Sequence, residues 1–195
     1  MKRHCMVLVG LLCAALSAPA FGEEVTDKQL LQAFDDYMAA LSGGEFEKLA
    51  QYIHPGELEE FKKLFITLGE GANREGNFEA LGEIFGVKTL AELRALPPEK
   101  MLNNLFVMLT RIAPEFKEVL ESAKITLLGQ VTEGKGEDKI LHLVFRMKME
   151  INGAKVNAVD TVAMKKAADD KYYFLLGEEI QGLITAFRNQ FGEVN

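Results

Sequence analysis

The chain has 195 residues, of which 48% are hydrophobic and 26% charged, an ordinary globular composition that excludes a disordered or fibrous chain. That length fits one domain with a core large enough to need no covalent staples. A net charge of −7 argues against nucleic acid and anionic membrane surfaces as partners, because both reward clustered Lys and Arg. Two cysteines, Cys5 and Cys13, exclude a disulfide scaffold or a zinc cluster.

The first twenty-two residues read as a cleaved export signal. Lys2 and Arg3 form a positive start, Met6 to Ala15 an apolar run, and Ala18-Pro19-Ala20 a small-x-small cleavage pattern, with a second acceptable cut after Gly22. The run is too short to cross a hydrocarbon core, which takes about 20 residues. A retained anchor is the alternative; a lipid anchor on Cys13 is disfavoured because Leu12 before it is not small. Cleavage removes Lys2, Arg3 and both cysteines, takes the charge to −9 and leaves residues 23–195 as a thiol-free domain suited to a bacterial periplasm.

The mature chain is expected to be α+β: N-terminal helices over residues 23–123, a sheet over 124–177, and a terminal helix over 178–192. Thr26-Asp-Lys-Gln29 reads as a capping box. Leu30, Phe34, Tyr37, Met38 and Leu41 then form one helical stripe, ended by Gly43-Gly44. A short helix carries Phe46, Leu49, Ala50 and Ile53. His54-Pro55 starts the next, with Leu58, Phe61, Leu64, Phe65 and Leu68 on its buried face. The segment Gly69 to Asn77, with three glycines and two asparagines, reads as a loop. Phe78 to Phe85 is a brief helix closed by Gly86. Thr89-Leu-Ala-Glu92 is a second capping box, Pro97-Pro98 opens a long helix through Ile112, and Pro114 starts a short one ending near Ala123.

From Lys139 the chain alternates. Leu141, Leu143, Phe145, Met147, Met149 and Ile151 lie on one face, with His142, Arg146, Lys148 and Glu150 on the other. Asn152-Gly153 signals a two-residue hairpin, which pairs Ile151 with Ala154, Met149 with Val156 and Met147 with Ala158. Strands at 125–132 and 171–177 complete a four-stranded antiparallel meander. The outer face is expected to gather Ile140, Val144, Val159, Thr161, Ala163, Tyr172, Phe174 and Leu176. Such a patch needs a cover, either the terminal helix, with Ile180, Leu183, Ile184, Phe187 and Phe191 on its stripe, or a second copy of the chain.

Two stretches carry a family resemblance: the first helix, ending in Tyr37-Met-Ala-Ala-Leu-Ser-Gly-Gly-Glu-Phe, and Leu49-Ala-Gln-Tyr-Ile-His-Pro55, a short helix running into a proline turn. With the later meander, they resemble the nuclear transport factor 2-like superfamily, over residues 26–66 and 124–177. The resemblance implies a cone-shaped sheet around a pocket, and homodimers through the outer sheet face. The added helices between 77 and 123 and the terminal helix depart from the pattern and could fill that pocket. Fold likeness does not carry function.

Few residues could carry chemistry. Asp160 falls opposite Phe145 on the otherwise apolar face, where desolvation would suit it to acid–base work; a structural partner or an opening to water is the alternative. Tyr37 and Tyr52 could offer hydroxyls to a pocket or be core tyrosines. Tyr37, Tyr52, Phe145 and Asp160 are thus the ligand-binding candidates. His54 reads as a helix cap and His142 as a solvated sheet residue; Glu57, Glu59 and Glu60 read as a solvated helix face. No metal-ligand spacing, phosphate loop or nucleophile motif occurs, so neither a metal nor another cofactor is expected. The expected function is an exported, non-catalytic module that binds a small apolar ligand or an envelope protein. The alternative is a cavity isomerase, dehydratase or hydrolase using Asp160.

Overall fold

The computed structural model describes residues 23–112, 119–151 and 154–177. The expected signal segment, the start of the helix after Pro114, the Asn152-Gly153 turn and the expected terminal helix lie outside them. The architecture is α+β, with helices preceding a four-stranded antiparallel sheet among the described residues.

Helix α1 (Lys28–Ser42) begins one residue later than the capping box suggests. Asp27, not Thr26, is the cap, and its Oδ1 accepts the Gln29 and Leu30 N–H groups at 2.9 and 3.3 Å. Leu30 and Phe34 are buried on the expected stripe. Helix α2 (Phe46–Leu49) tightens into a 3-10 turn at Ala50–Tyr52. His54 then caps α3 (Pro55–Glu75), its Nδ1 accepting the Gly56 N–H at 3.2 Å, with Pro55 in the first turn.

Helix α3 runs straight through the stretch expected to be a loop and stops only at Gly76, in the left-handed conformation at φ 75°. Gly69 and Gly71 are buried within it. A methyl group at Gly69 would stand 2.7 Å from a Leu93 methyl, so the missing side chain is what lets α5 (Leu90–Ala95) lie against α3. Glycine costs a helix roughly 1 kcal/mol per position. Burial of Leu68, Ala72, Leu81 and fully buried Leu93 around this contact outweighs it.

Helices α4 (Phe78–Phe85) and α6 (Pro98–Ile112) have the expected bounds. Thr89 caps α5 by accepting the Glu92 N–H, while the Glu92 carboxylate accepts the Lys88 N–H at 2.7 Å. Residues 119–122 are helical.

The sheet order is β1 (Lys124–Glu133), β2 (Ile140–Ile151), β3 (Ala154–Lys166), β4 (Tyr172–Phe174), the expected meander. The β2–β3 register is the one the hairpin signal implies: Ile151 opposite Ala154, Met149 opposite Val156, Met147 opposite Ala158 and Phe145 opposite Asp160. A bulge at Leu128 shifts β1, so that Gln130 rather than an apolar residue meets Leu143 on the inner face.

The last strand reverses an expectation. Met164 pairs with Phe174 and Lys166 with Tyr172, which turns Tyr172 and Phe174 to the inner face. Phe174 is 3% exposed, and Tyr172 and Leu176 pack on the main core. Parity across this turn depends on a tight reversal at 167–171, where Asp170 takes φ 68° and Lys171 closes back on Ala167. The outer face therefore keeps Ile140, Val144, Val159, Thr161 and Ala163 but loses Tyr172, Phe174 and Leu176. It is most exposed at Leu128, Val131 and Val159.

The core lies between the helices and the inner face of the sheet. Leu141, Leu143, Phe145 and Met164 meet Phe34, Phe65, Met101 and Leu105 in one cluster.

Candidate functional site

Three segments distant in sequence converge at one end of the molecule: the start of α1, the 3-10 turn at Ala50–Tyr52, and the β3–β4 turn. They are held together from beneath. Phe174 stacks on Tyr37 at 4.1 Å between ring centres and on Phe34 at 6.4 Å, while the Phe174 carbonyl accepts the His54 N–H at 2.9 Å. At the rim the Tyr172 hydroxyl donates to Asp27 Oδ2 at 2.7 Å, so the residue that caps α1 also ties the helix to β4.

Between these segments is an open cleft of about 700 Å³, within the range of small-molecule sites. One wall comes from α1 through Gln29, Gln32 and Asp36; Gln51 and Tyr52 form the floor, and Asp169, Lys171 and Tyr173 the other wall. Tyr52 meets Tyr37 edge to face at 6.3 Å, which fixes its ring. The Tyr173 hydroxyl donates to Asp169 at 2.7 Å, and the ring meets His54 edge to face at 6.2 Å.

Three carboxylates of this cleft have partners. Asp36 accepts from Gln32 Nε2 at 2.7 Å, Asp169 lies 3.9 Å from Lys171, and Asp170 pairs with Lys166 at 2.6 Å. The Lys166 ammonium also stands 5.4 Å from the centre of the Tyr172 ring.

The Asp27–Tyr172 contact sets the titration of both partners. The Tyr172 hydroxyl, ahead of opposing burial, holds Asp27 below its usual carboxylate value. Burial first, then the Asp27 carboxylate, pushes Tyr172 up to about 12. Asp27's share of stability is therefore complete above its unfolded value and lost as pH falls through the lower folded one. Tyr172 acts in the opposite sense: its share is complete below pH 10 and lost as pH rises towards 12. Tyr172→Phe should cost about 1 kcal/mol at pH 7, allowing for solvent screening, and flatten the stability profile at both ends. Urea unfolding from pH 3 to 11 reads this directly; identical profiles would mean the contact contributes nothing.

The four sequence-derived candidates separate. Tyr52 lines the cleft, whereas Tyr37 stands behind it as a core ring. Phe145 is 5% exposed and packs on Phe34 at 5.9 Å. Asp160 lies opposite Phe145 as expected but is exposed, its Oδ1 accepting the Thr161 N–H at 2.8 Å. The inner face opens to water there, because β4 pairs only with Met164–Lys166 and leaves Asp160 beyond its reach. The desolvation that would have suited Asp160 to acid–base work is absent.

Sequence reasoning missed Asp27, Tyr172, Tyr173 and the β3–β4 turn. Asp27 was visible as a helix-start residue, but nothing local links it to Tyr172, 145 positions away. Gln130 was also missed; its Oε1 is buried without a hydrogen-bond partner among the described residues.

A second groove, of about 710 Å³, runs between the end of α3, α4 and the loop to α5. Glycines 76, 82 and 86 and the carboxylates Glu79 and Glu83 form much of its lining, and its aromatic residue, Phe78, is buried. Among the described residues no group of three or more metal-ligating side chains occurs, and no helix is long and apolar enough to cross a membrane.

Compared with family models, curated proteins and solved structures, the chain matches none.

Proposed function

We propose that the mature chain is an exported, non-catalytic binding module of the bacterial envelope, and that it binds a small ligand in the Tyr52 cleft. The export signal at residues 1–22 supports the location. The observation that carries the binding site is the convergence of Tyr52, Tyr173 and three glutamine side chains, from distant segments, around one open cleft. The carboxylates of the lining are taken up by Gln32, Tyr173 and lysines, which favours binding over turnover, and the exposed Asp160 weakens the enzyme alternative. A nuclear transport factor 2-like ancestry belongs to the same proposal; the short helix running into His54-Pro55 and the four-stranded meander support it. So does pairing of two copies through the outer sheet face, where Val131 and Val159 are 52% and 60% exposed.

The test is NMR of the labelled mature protein titrated with a low-molecular-weight periplasmic extract of the producing cell. Shift changes centred on Gln32, Gln51, Tyr52 and Lys171, with the extract components unchanged over time, are expected. Changes confined to other faces, no changes, or consumption of a component would overturn the reading.

A further inference from the structure

We infer that the ligand class of the Tyr52 cleft is an uncharged saccharide. The inference rests on the proposal that this cleft is the binding site and adds the chemistry that the lining selects.

Charge comes first. Lys28 and Lys171 line the cleft beside Asp36, Asp169 and Asp170, and Lys166 stands behind the lining on Asp170, so both signs of charge are present and the cations are not in excess. Asp169 and Asp170 are already engaged by Lys171 and Lys166. A charged ligand would meet both signs in this lining, so attraction to one is offset by repulsion from the other. A neutral ligand avoids that conflict.

The remaining polar groups suit hydroxyls. A side-chain amide offers two donors and an acceptor with two lone pairs, and a phenol offers one donor and an acceptor. Gln29, Gln51 and the Tyr52 hydroxyl line the cleft and make no side-chain hydrogen bonds among the described residues. The acceptors and donors of a polyhydroxylated molecule match that set. An apolar ligand would desolvate these amides without replacing their water.

Aromatic surface supplies the rest. A pyranose ring carries C–H groups on its faces and hydroxyls around its rim, so it needs an apolar plate beside polar arms. Tyr52 and Tyr173 are partly buried residues on the floor and wall, each braced edge to face by a second ring, Tyr37 and His54 respectively. Bracing holds the plates before a ligand arrives, which lowers the ordering cost of binding.

The experiment titrates the labelled mature protein with cellobiose, maltotriose and N,N′-diacetylchitobiose, each to tens of millimolar, reading shifts at Gln32, Gln51, Tyr52 and Lys171. At least one sugar should shift these residues saturably. Glucosamine and glucuronate should bind no better than glucose. Tyr52→Ala should weaken the best sugar tenfold or more, and Gln51→Ala, at an exposed position that leaves packing intact, at least threefold. Tighter binding of the charged sugars, unchanged affinity in Gln51→Ala, or no response to any sugar would overturn the inference. If the periplasmic extract shifts the cleft and no sugar does, the binding site stands and the ligand class falls. If neither does, both fall. Co-sedimentation with purified cell-wall glycan, inhibited by the best soluble sugar, would identify the source as a polymer rather than a free oligosaccharide.

Discussion

Phe174→Ala should remove about 3–5 kcal/mol of stability, the cost of emptying a buried aromatic site. The ring is 3% exposed and touches Phe34 and Tyr37 from α1, so it lies at the centre of the contact between the first helix and the sheet. Truncation leaves a void that α1 cannot close without giving up the Asp27–Tyr172 contact beside it. Urea unfolding checks the size of the loss. A change within about 0.5 kcal/mol, as is usual for surface positions, would put Phe174 back on the outer face. Phe174→Leu should recover most of the loss by restoring volume, which distinguishes packing from a role of the ring's edge.

Gly82→Ala is the second large effect, and its sign opposes helix propensity. Alanine in a helix is favoured over glycine by about 1 kcal/mol. At this position, however, the new methyl would press against the Val87 carbonyl oxygen and lie 3.4 Å from the Phe78 ring. The approach is forced by the chain itself: Gly86 turns at φ 67° and the Val87 N–H donates to the Gly82 carbonyl at 2.9 Å. Backbone cannot step aside as a side chain can, so a net loss of roughly 2–3 kcal/mol is expected. Gly69→Ala provides the comparison, because its nearest neighbour is the mobile end of Leu93. It should cost markedly less. Thermal melts of the two variants side by side decide it; equal losses would mean that neighbour type does not matter here.

These two residues also mark where sequence reasoning works and where it stops. The Pro97-Pro98 pair marked the start of α6, and an Asn-Gly pair was enough to set the register of twelve facing pairs in β2 and β3. Long, regular segments average over local errors. Phe174 follows a short reversal, and a one-residue slip in such a turn sends every side chain to the opposite face. The glycines at 69 and 71 were misread because propensity describes an isolated helix, whereas their reason for being there is the neighbouring helix. The cleft was legible only through Tyr52. Its other wall comes from the β3–β4 turn, whose polar residues look like any solvated loop until the fold brings them opposite α1.

The tie between Asp27 and Tyr172 imposes an order on folding. A chain that emerges amino end first can cap α1 at once through Asp27 Oδ1, but it cannot tie that helix to β4 until residue 172 has arrived, and the His54 N–H waits as long for the Phe174 carbonyl. Nearly all of the described sequence must therefore be available before the first helix reaches its final seat. Closing so large a loop is slow compared with the local contacts within the helices. On the export route proposed above, late closure is an advantage: the segment that enters first stays loose until the rest has followed.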